Sequence, residues 1–258
     1  MIEATIALNT TSTWFCAAVL STGTGNTTET VCTGSEDVDT YPDATEGRTI
    51  AERAAIAVAL AIVIAVTVAG NLLVAVTILT IRRLHNPTNC FIASLAVSDL
   101  LLGCLVLPFS ASATVADPDT PWPLGSIICN IYVSCDVMLC TVSILTLFAI
   151  SLDRYVAVTA PYRYRRTVSL SVVQRVNVAV WLFSAAMAFV PIHLGWNSPD
   201  GRVQNVGDPT RCVFALNRPY VLLIAVGTYF TPLVVMSGVY LRILQITKRQ
   251  VTYSSARR

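Results

Sequence analysis

From residue 54 onward the chain alternates long apolar runs with short polar connections, and five of the runs are long enough to cross a bilayer as helices. The first covers 54–81 and carries no charge. The second, 90–115, contains a single acid, Asp99. The third covers 127–158; the fourth, 176–194, is shorter and holds Trp181 and Pro191; the fifth, 219–241, is interrupted by Pro232. The third run is the most informative. It has one isolated acid, Asp136, and ends in Asp153-Arg154-Tyr155. Cys129 and Arg154 are ~37 Å apart at the helical rise, enough to cross the membrane. Asp136 and Arg154 are eighteen residues apart, about five helical turns, so they leave the helix on one face. Ser143, seven residues after Asp136, falls close to that face. A membrane helix with ionisable groups at both ends of one stripe turns that stripe toward other helices rather than lipid.

Composition agrees with a membrane protein: 54% of residues are hydrophobic and 12% charged, against roughly 25% charged in a soluble domain. The net charge of +2 says little; its distribution says more. Residues 1–49 form an acidic tail, in which Glu3, Glu29, Glu36, Asp37, Asp39, Asp43 and Glu46 face only Arg48. Asn9 and Asn26 head glycosylation acceptor sequons there, whereas Asn197-Ser198-Pro199 is excluded by its proline. The start has no basic flank and no sustained apolar run, so the first span is expected to act as the insertion signal. Arg82 and Arg83 follow the first span; Arg154, Arg163, Arg165, Arg166 and Arg175 lie between the third and fourth; Arg242, Lys248, Arg249, Arg257 and Arg258 follow the fifth. The loop between the second and third spans holds Asp117 and Asp119 and no base, and the fourth-to-fifth loop is mixed. The positive-inside rule then predicts a multi-pass plasma-membrane protein with its N-terminus extracellular, residues 50–246 as the bundle, and 247–258 opening a third cytoplasmic loop.

Of eight cysteines, Cys129 falls at the outer end of the third span and Cys212 in the outer loop before the fifth, both in oxidising surroundings, where a bridge would pin that loop over the bundle mouth. Cys16 and Cys32 are a second candidate pair, which spacing alone does not settle. Cys90, Cys104, Cys135 and Cys140 sit at membrane depth and read as packing. His193 has only His85 for company, on the opposite side, so no metal-ligand cluster is expected.

Several short motifs fall in order on the right spans. Gly70-Asn71 lies in the first, Leu95-Ala96-Val97-Ser98-Asp99 in the second, Asp153-Arg154-Tyr155 in the third, Trp181 in the fourth, and Pro232 with Tyr240 in the fifth. Together they resemble the rhodopsin-like (class A) G-protein-coupled receptors, over the chain from about Ala54 onward. Three further runs resemble the histamine-type members of the aminergic group: Asn89-Cys90-Phe91-Ile92 through Leu107-Pro108-Phe109-Ser110-Ala111, Asp136 through Thr141, and Ile192 through Ser198. The resemblance implies an all-α integral membrane fold, a seven-helix receptor bundle of which helices one to five are present. The sequence accordingly reads as a fragment, a partial gene model or a truncated isoform, not expected to signal alone. The function implied is a receptor for a biogenic amine acting on a heterotrimeric G protein, and not an enzyme. A non-signalling five-span chain that associates with full-length receptors is the alternative. A transporter or intramembrane enzyme would need internal repeats, paired broken helices or a nucleophile–base constellation, none of which the sequence carries.

An acid at membrane depth costs ~2.5–3.5 kcal/mol on insertion scales, so Asp136 needs a reason to be there. Two reasons fit: a counter-ion for a protonated amine entering from outside, or a buried acid satisfied by neighbouring hydroxyls. The resemblance favours the first, with Val137, Cys140 and Thr141 lining the pocket floor and Ile224 and Thr228 facing it from the fifth span. Histamine receptors carry an acid where this chain has Ile224, while Thr228 matches; the serines of catecholamine receptors are missing, so the amine stays open. Asp99, Asn71 and Ser143 match the family's allosteric sodium site, and oxygen ligands suit a hard cation; a hydrogen-bonded structural network is the other reading. Asp153, Arg154 and Tyr155, with Pro161, Tyr162 and Tyr240, match the G-protein switch, with an acid–base pair expected at rest. Besides sodium no cofactor or metal is implied. The expected partners are a small amine, a G protein, membrane lipid and a second receptor copy, with no nucleic acid.

Overall fold

The computed structural model describes residues 49–116, 120–208 and 210–256. Asn9, Asn26, the Cys16–Cys32 pair, Asp117, Asp119, Arg257 and Arg258 lie outside the described residues. Within them the chain is helical, with no strand, and five helices are long and apolar enough to cross a membrane: Ile50–Thr80, Pro87–Val115, Gly125–Thr159, Leu170–Leu194 and Arg218–Arg249. A 3-10 turn, Arg82–Leu84, joins the first two, and a short helix, Pro161–Thr167, joins the third and fourth.

Four of the five spans begin where a capping side chain stands; the third, opening at Gly125 after Leu124, has none. Thr49 and Glu52 form a reciprocal capping box on the first helix, with Glu52 N donating to Thr49 Oγ1 (3.3 Å) and Thr49 N to Glu52 Oε2 (3.0 Å). Asn86 caps the second by accepting from Asn89 N at 2.8 Å, with Pro87 in the first turn, where its missing N–H costs nothing. Ser169 caps the fourth, and Asn217, followed by Arg218-Pro219, caps the fifth. These caps correct the boundaries that hydrophobicity alone suggests. The second helix starts at Pro87 rather than 90 and the fourth at Leu170 rather than 176. The last helix runs on to Ala256, through the stretch expected to open a loop. Apolar runs mark only the part of a helix inside hydrocarbon, whereas its backbone hydrogen bonds continue into the headgroup region.

Two spans widen into a π turn just before a proline. Leu102–Val106 precedes Pro108, with Leu107 N donating to Leu102 O; Ala225–Phe230 precedes Pro232, with Thr231 N donating to Val226 O. A proline ring collides with the carbonyl four residues back and offers no N–H. The wide turn relieves both and re-aims the side chains above it.

The third helix is the hub, packed against the second, fourth and fifth, while the first lies along the second. Small side chains make the close approaches. Ser98, Ser184 and Ala188 are fully buried, and a Cβ on Gly103 would come within 2.9 Å of Val68 Cγ2 on the first helix. Polar links tie the second helix to the fourth: Trp181 Nε1 donates to Ser94 Oγ at 3.0 Å and Asn177 Nδ2 to Cys90 O at 3.4 Å. All five helices carry exposed apolar side chains on their outer faces.

Candidate functional site

The third helix carries three polar stations, one near each end and one between. Nearest the disulfide end stands Asp136, half-buried, where Cys140 Sγ donates to its Oδ1 at 3.7 Å. The sequence left hydroxyl neighbours open as its partners. The nearby hydroxyl of Thr141 instead donates to Val137 O at 2.7 Å, and no cation pairs with Asp136 among the described residues. Thr141 is buried, and Val137 turns toward the cluster of Cys129, Val133 and Ile192. One turn above Asp136, Tyr132 packs edge-on against Phe109 at 5.8 Å and lies 5.9 Å from the Trp122 ring. This aromatic trio escaped the sequence reading because its members come from three separate segments.

On the fifth helix Thr228 is buried in the π turn that packs on the third helix, and Ile224, just before that turn, is half-buried. The Thr228 hydroxyl donates to Ile224 O at 2.7 Å, which commits its proton within the helix.

Midway, Ser143 Oγ donates to Asp99 Oδ1 at 2.7 Å and lies 3.0 Å from Ser98 Oγ. Asn71, grouped with them on sequence grounds, directs its amide to Thr67 O of its own helix at 2.9 Å. Ser98 joins the set instead. A carboxylate and two hydroxyl oxygens are a donor set that suits a hard cation.

At the other end, Asp153 is buried and both of its oxygens are occupied. Thr88 Oγ1, from the first turn of the second helix, donates to Oδ2 at 2.7 Å, and Tyr164 OH, from the short connecting helix, donates to Oδ1 at 2.9 Å. The expected acid–base pair is present but looser: Arg154 Nη2 stands 3.5 Å from Oδ2, with half of the side chain exposed. Burial pushes the Tyr164 phenol above its ordinary range, and its bond to Asp153 works in the same direction, keeping it a neutral donor. Pro161 opens the connecting helix, Tyr162 is exposed, Tyr155 is half-buried, and Tyr240 lies exposed on the fifth helix. Thr88 and Tyr164 were not legible as Asp153 partners, since neither position carries a motif.

The Cys129–Cys212 bridge forms, with Cα atoms 5.5 Å apart. Around it the loop between the fourth and fifth helices is held by amide side chains. Asn130 Nδ2, on the third helix, donates to Gln204 O (3.0 Å), and Asn205 Nδ2 donates to Asn130 Oδ1 (2.9 Å) and Val213 O (3.0 Å). Asn197 Nδ2 donates to Gln204 Oε1 (2.7 Å) and Ala215 O (2.8 Å). Gly195 ends the fourth helix at φ 74°, where a Cβ would lie 2.6 Å from the Arg202 carbonyl carbon. On the surface of this loop Asp208 accepts from both the amide and the hydroxyl of Thr210, which, with Arg211 nearby, holds its carboxyl below the usual range. Among the described residues no group of three His, Cys, Asp or Glu side chains is placed to hold a metal ion.

A five-helix bundle with a central third helix, a disulfide from its end to the loop between the fourth and fifth helices, and an Asp-Arg-Tyr at the opposite end defines a class of membrane receptor. Residues 70–258 match the model of the seven-transmembrane receptors of the rhodopsin family, and the chain belongs to that family. Within it the chain is similar to aminergic receptors. It is 46% identical to the histamine H2 receptor of Homo sapiens over 195 residues, 76% of this chain and 54% of that protein. It is 45% identical to the histamine H2 receptor of Rattus norvegicus over 201 residues, 78% of this chain and 55% of that protein. Tyramine receptor 1 of Locusta migratoria is 37% identical over 200 residues, 78% of this chain and 40% of that protein. The chain spans about half the length of the histamine receptors it matches.

Proposed function

We propose that the protein is a receptor whose Asp136 takes the ammonium of a small biogenic amine, and whose Asp153–Arg154 end acts on a heterotrimeric G protein. The observation that carries this reading is Asp136 itself. It is an acid at membrane depth with a thiol as its hydrogen-bond donor and no cation beside it among the described residues. A thiol is a weak donor, so most of the cost of placing the acid there is left for an incoming cation to offset. The disulfide end faces outside in this reading and the Arg154 end the cytoplasm, as the basic residues around Arg163, Arg166 and Arg175 favour. Asp99, Ser143 and Ser98 would hold a sodium ion between the two ends, supplying a charge whose loss accompanies the change of state. Ligand binding then favours the conformer in which the Arg154 end opens.

The relatives' names supply histamine and tyramine, and both are primary amines with a hydrogen-bonding ring at the far end. The receptor expressed from its native transcript, in cells scored for G-protein activation, is expected to respond to one of these amines. Asp136→Asn is expected to abolish the response while surface expression is retained. A full response in that variant sinks the reading.

A further inference from the structure

The connection from the third helix to the fourth is cationic and carries hydroxyls. Arg163, Arg165 and Arg166 precede Thr167, Ser169 and Ser171, and no acid occurs from 154 to 199. Arg163 and Arg166 are exposed, and neither has an ion-pair partner among the described residues. Asp153, the acid just before this stretch, is buried and already met by Thr88, Tyr164 and Arg154. The arginines are left to meet an acidic group from outside the chain.

Of the three hydroxyl residues, Ser169 is the best presented. It is exposed and lies in an extended link, with Val168 at φ −92°, ψ 100° and Ser169 at φ −111°, ψ 161°. Its Oγ accepts a long bond from Val172 N at 3.4 Å, an amide that Ser169 O already meets at 3.0 Å. Arg166 and Arg165 stand three and four residues before it. Protein kinases with acidic clefts select a hydroxyl by basic residues at such spacing, and they take the segment as an extended strand. Here Arg165 and Arg166 still belong to the short helix Pro161–Thr167. Seven residues are too few for a helix that is stable alone. Tyr164 anchors it to the bundle, its hydroxyl donating to Asp153 Oδ1 at 2.9 Å, and Val168 N closes its end on Tyr164 O at 2.9 Å. Release of Tyr164 frees the residues before Ser169 to extend.

We propose that Ser169 is a phosphoacceptor for an arginine-directed serine/threonine kinase, and that the Tyr164–Asp153 bond gates it. This rests on the orientation given above, which puts the Arg154 end in the cytoplasm. In the step, Ser169 Oγ bonds to the γ-phosphorus of ATP, the bond from that phosphorus to the β–γ bridging oxygen breaks, and ADP leaves. The hydroxyl proton passes to the kinase's base. The product sets a charge of about −1.5 to −2 beside three arginines, on the residue that caps the fourth helix.

The test incubates the receptor, expressed from its native transcript and purified in detergent, with calmodulin-dependent protein kinase II and ATP, and maps the phosphate by mass spectrometry. Phosphate is expected on Ser169 and is expected to be lost from that position in Ser169→Asn, which keeps a capping side chain. Arg166→Gln should slow its appearance roughly tenfold, and Tyr164→Phe should speed it roughly tenfold, ~1.4 kcal/mol in each case. Thr88→Val removes the other hydroxyl on Asp153 without touching the connecting helix, so it should leave the rate unchanged, whereas general loosening of the fold would raise it. No phosphate on Ser169, no effect of Arg166→Gln, or a rate that Tyr164→Phe leaves unchanged or that Thr88→Val raises as much overturns the proposal. Detergent opens both faces to the kinase, so such a result bears on Ser169 alone and leaves the orientation and the Asp136 anchor standing.

Discussion

Removing single hydroxyls around Asp153 separates the groups that hold this acid from the one that merely stands beside it. Thr88 Oγ1 reaches Oδ2 at 2.7 Å and Tyr164 OH reaches Oδ1 at 2.9 Å, while Arg154 Nη2 is 3.5 Å away on a half-exposed side chain. A hydrogen bond to a charged group contributes ~1.5–3 kcal/mol. An ion pair open to water contributes ~0–1 kcal/mol, and exposure of Arg154 discounts it toward the lower end. Thr88→Val, which keeps shape and loses only the hydroxyl, is therefore expected to destabilise the receptor by ~1.5–3 kcal/mol. Tyr164→Phe should follow at the lower end of that range, because its site is more open, and Arg154→Gln should cost ~1 kcal/mol or less. The double variant Thr88→Val/Tyr164→Phe should cost more than the sum of the singles, because it leaves a buried carboxylate without either donor. Thermal unfolding in detergent gives the ranking. An Arg154→Gln variant less stable than Thr88→Val would refute the assignment and return the acid–base pair to first place.

Three further outcomes follow from the disulfide end. Gly195→Ala places a methyl 2.6 Å from the Arg202 carbonyl carbon at φ 74°, so left-handed strain and overpacking together should cost about 2–5 kcal/mol, read as lost surface expression. Cys129→Ser opens a bridge of sequence separation 83, which for a free chain constrains ~4.5 kcal/mol of entropy; with the helices still inserted when unfolded, the loss should be ~2–4 kcal/mol, measured by thermal unfolding with and without reductant. Asp208, whose carboxyl is held low in the folded loop by Thr210 and Arg211, contributes its full share of stability above the ordinary carboxylate value of about 4 and loses it as pH falls through the lowered one. Reduction of the disulfide should thus proceed at the same rate from neutral pH down to about 5 after correction for thiolate, quicken in stronger acid, and lose that acid step in Asp208→Asn.

The five spans were readable because a bilayer imposes a simple requirement, an uninterrupted apolar run of sufficient length. The stripe linking Asp136, Ser143 and Arg154 was readable because helical periodicity is rigid over one element, and Ser143 does meet Asp99 across the helix interface. The Cys129–Cys212 bridge followed from position relative to the membrane. Helix ends were misjudged where polar residues continue the helix beyond hydrocarbon, as from Leu170 to 175. The Asn217-Arg218-Pro219 and Asn86-Pro87 caps carry a recognisable signal, a capping side chain with proline in the first turn, and could have corrected two of those ends. The Asn130, Asn197, Gln204 and Asn205 network could not have been found. Its bonds join residues as far as 75 apart in the chain, and amide side chains in an irregular loop have no periodicity to betray which carbonyl each will meet.

Asp99, Asp136 and Asp153 differ in how the chain itself treats them. Asp153 receives two hydroxyl donors and a nearby guanidinium, and Asp99 receives Ser143 with Ser98 behind it. Asp136 receives a thiol. Desolvation costs all three, but internal donors offset it at the first two. An added cation therefore gains least at Asp153 and most at Asp136. The asymmetry also orders function along the third helix. An acid already satisfied by neighbours on other helices couples those helices to one another, as Asp153 couples the second helix to the connecting helix through Thr88 and Tyr164. An acid left to a weak donor responds to what arrives from outside. In the proposed receptor, binding at Asp136 can thus be transmitted along one rigid helix to the Asp153 end, where a change in helix position must break or remake two hydroxyl bonds.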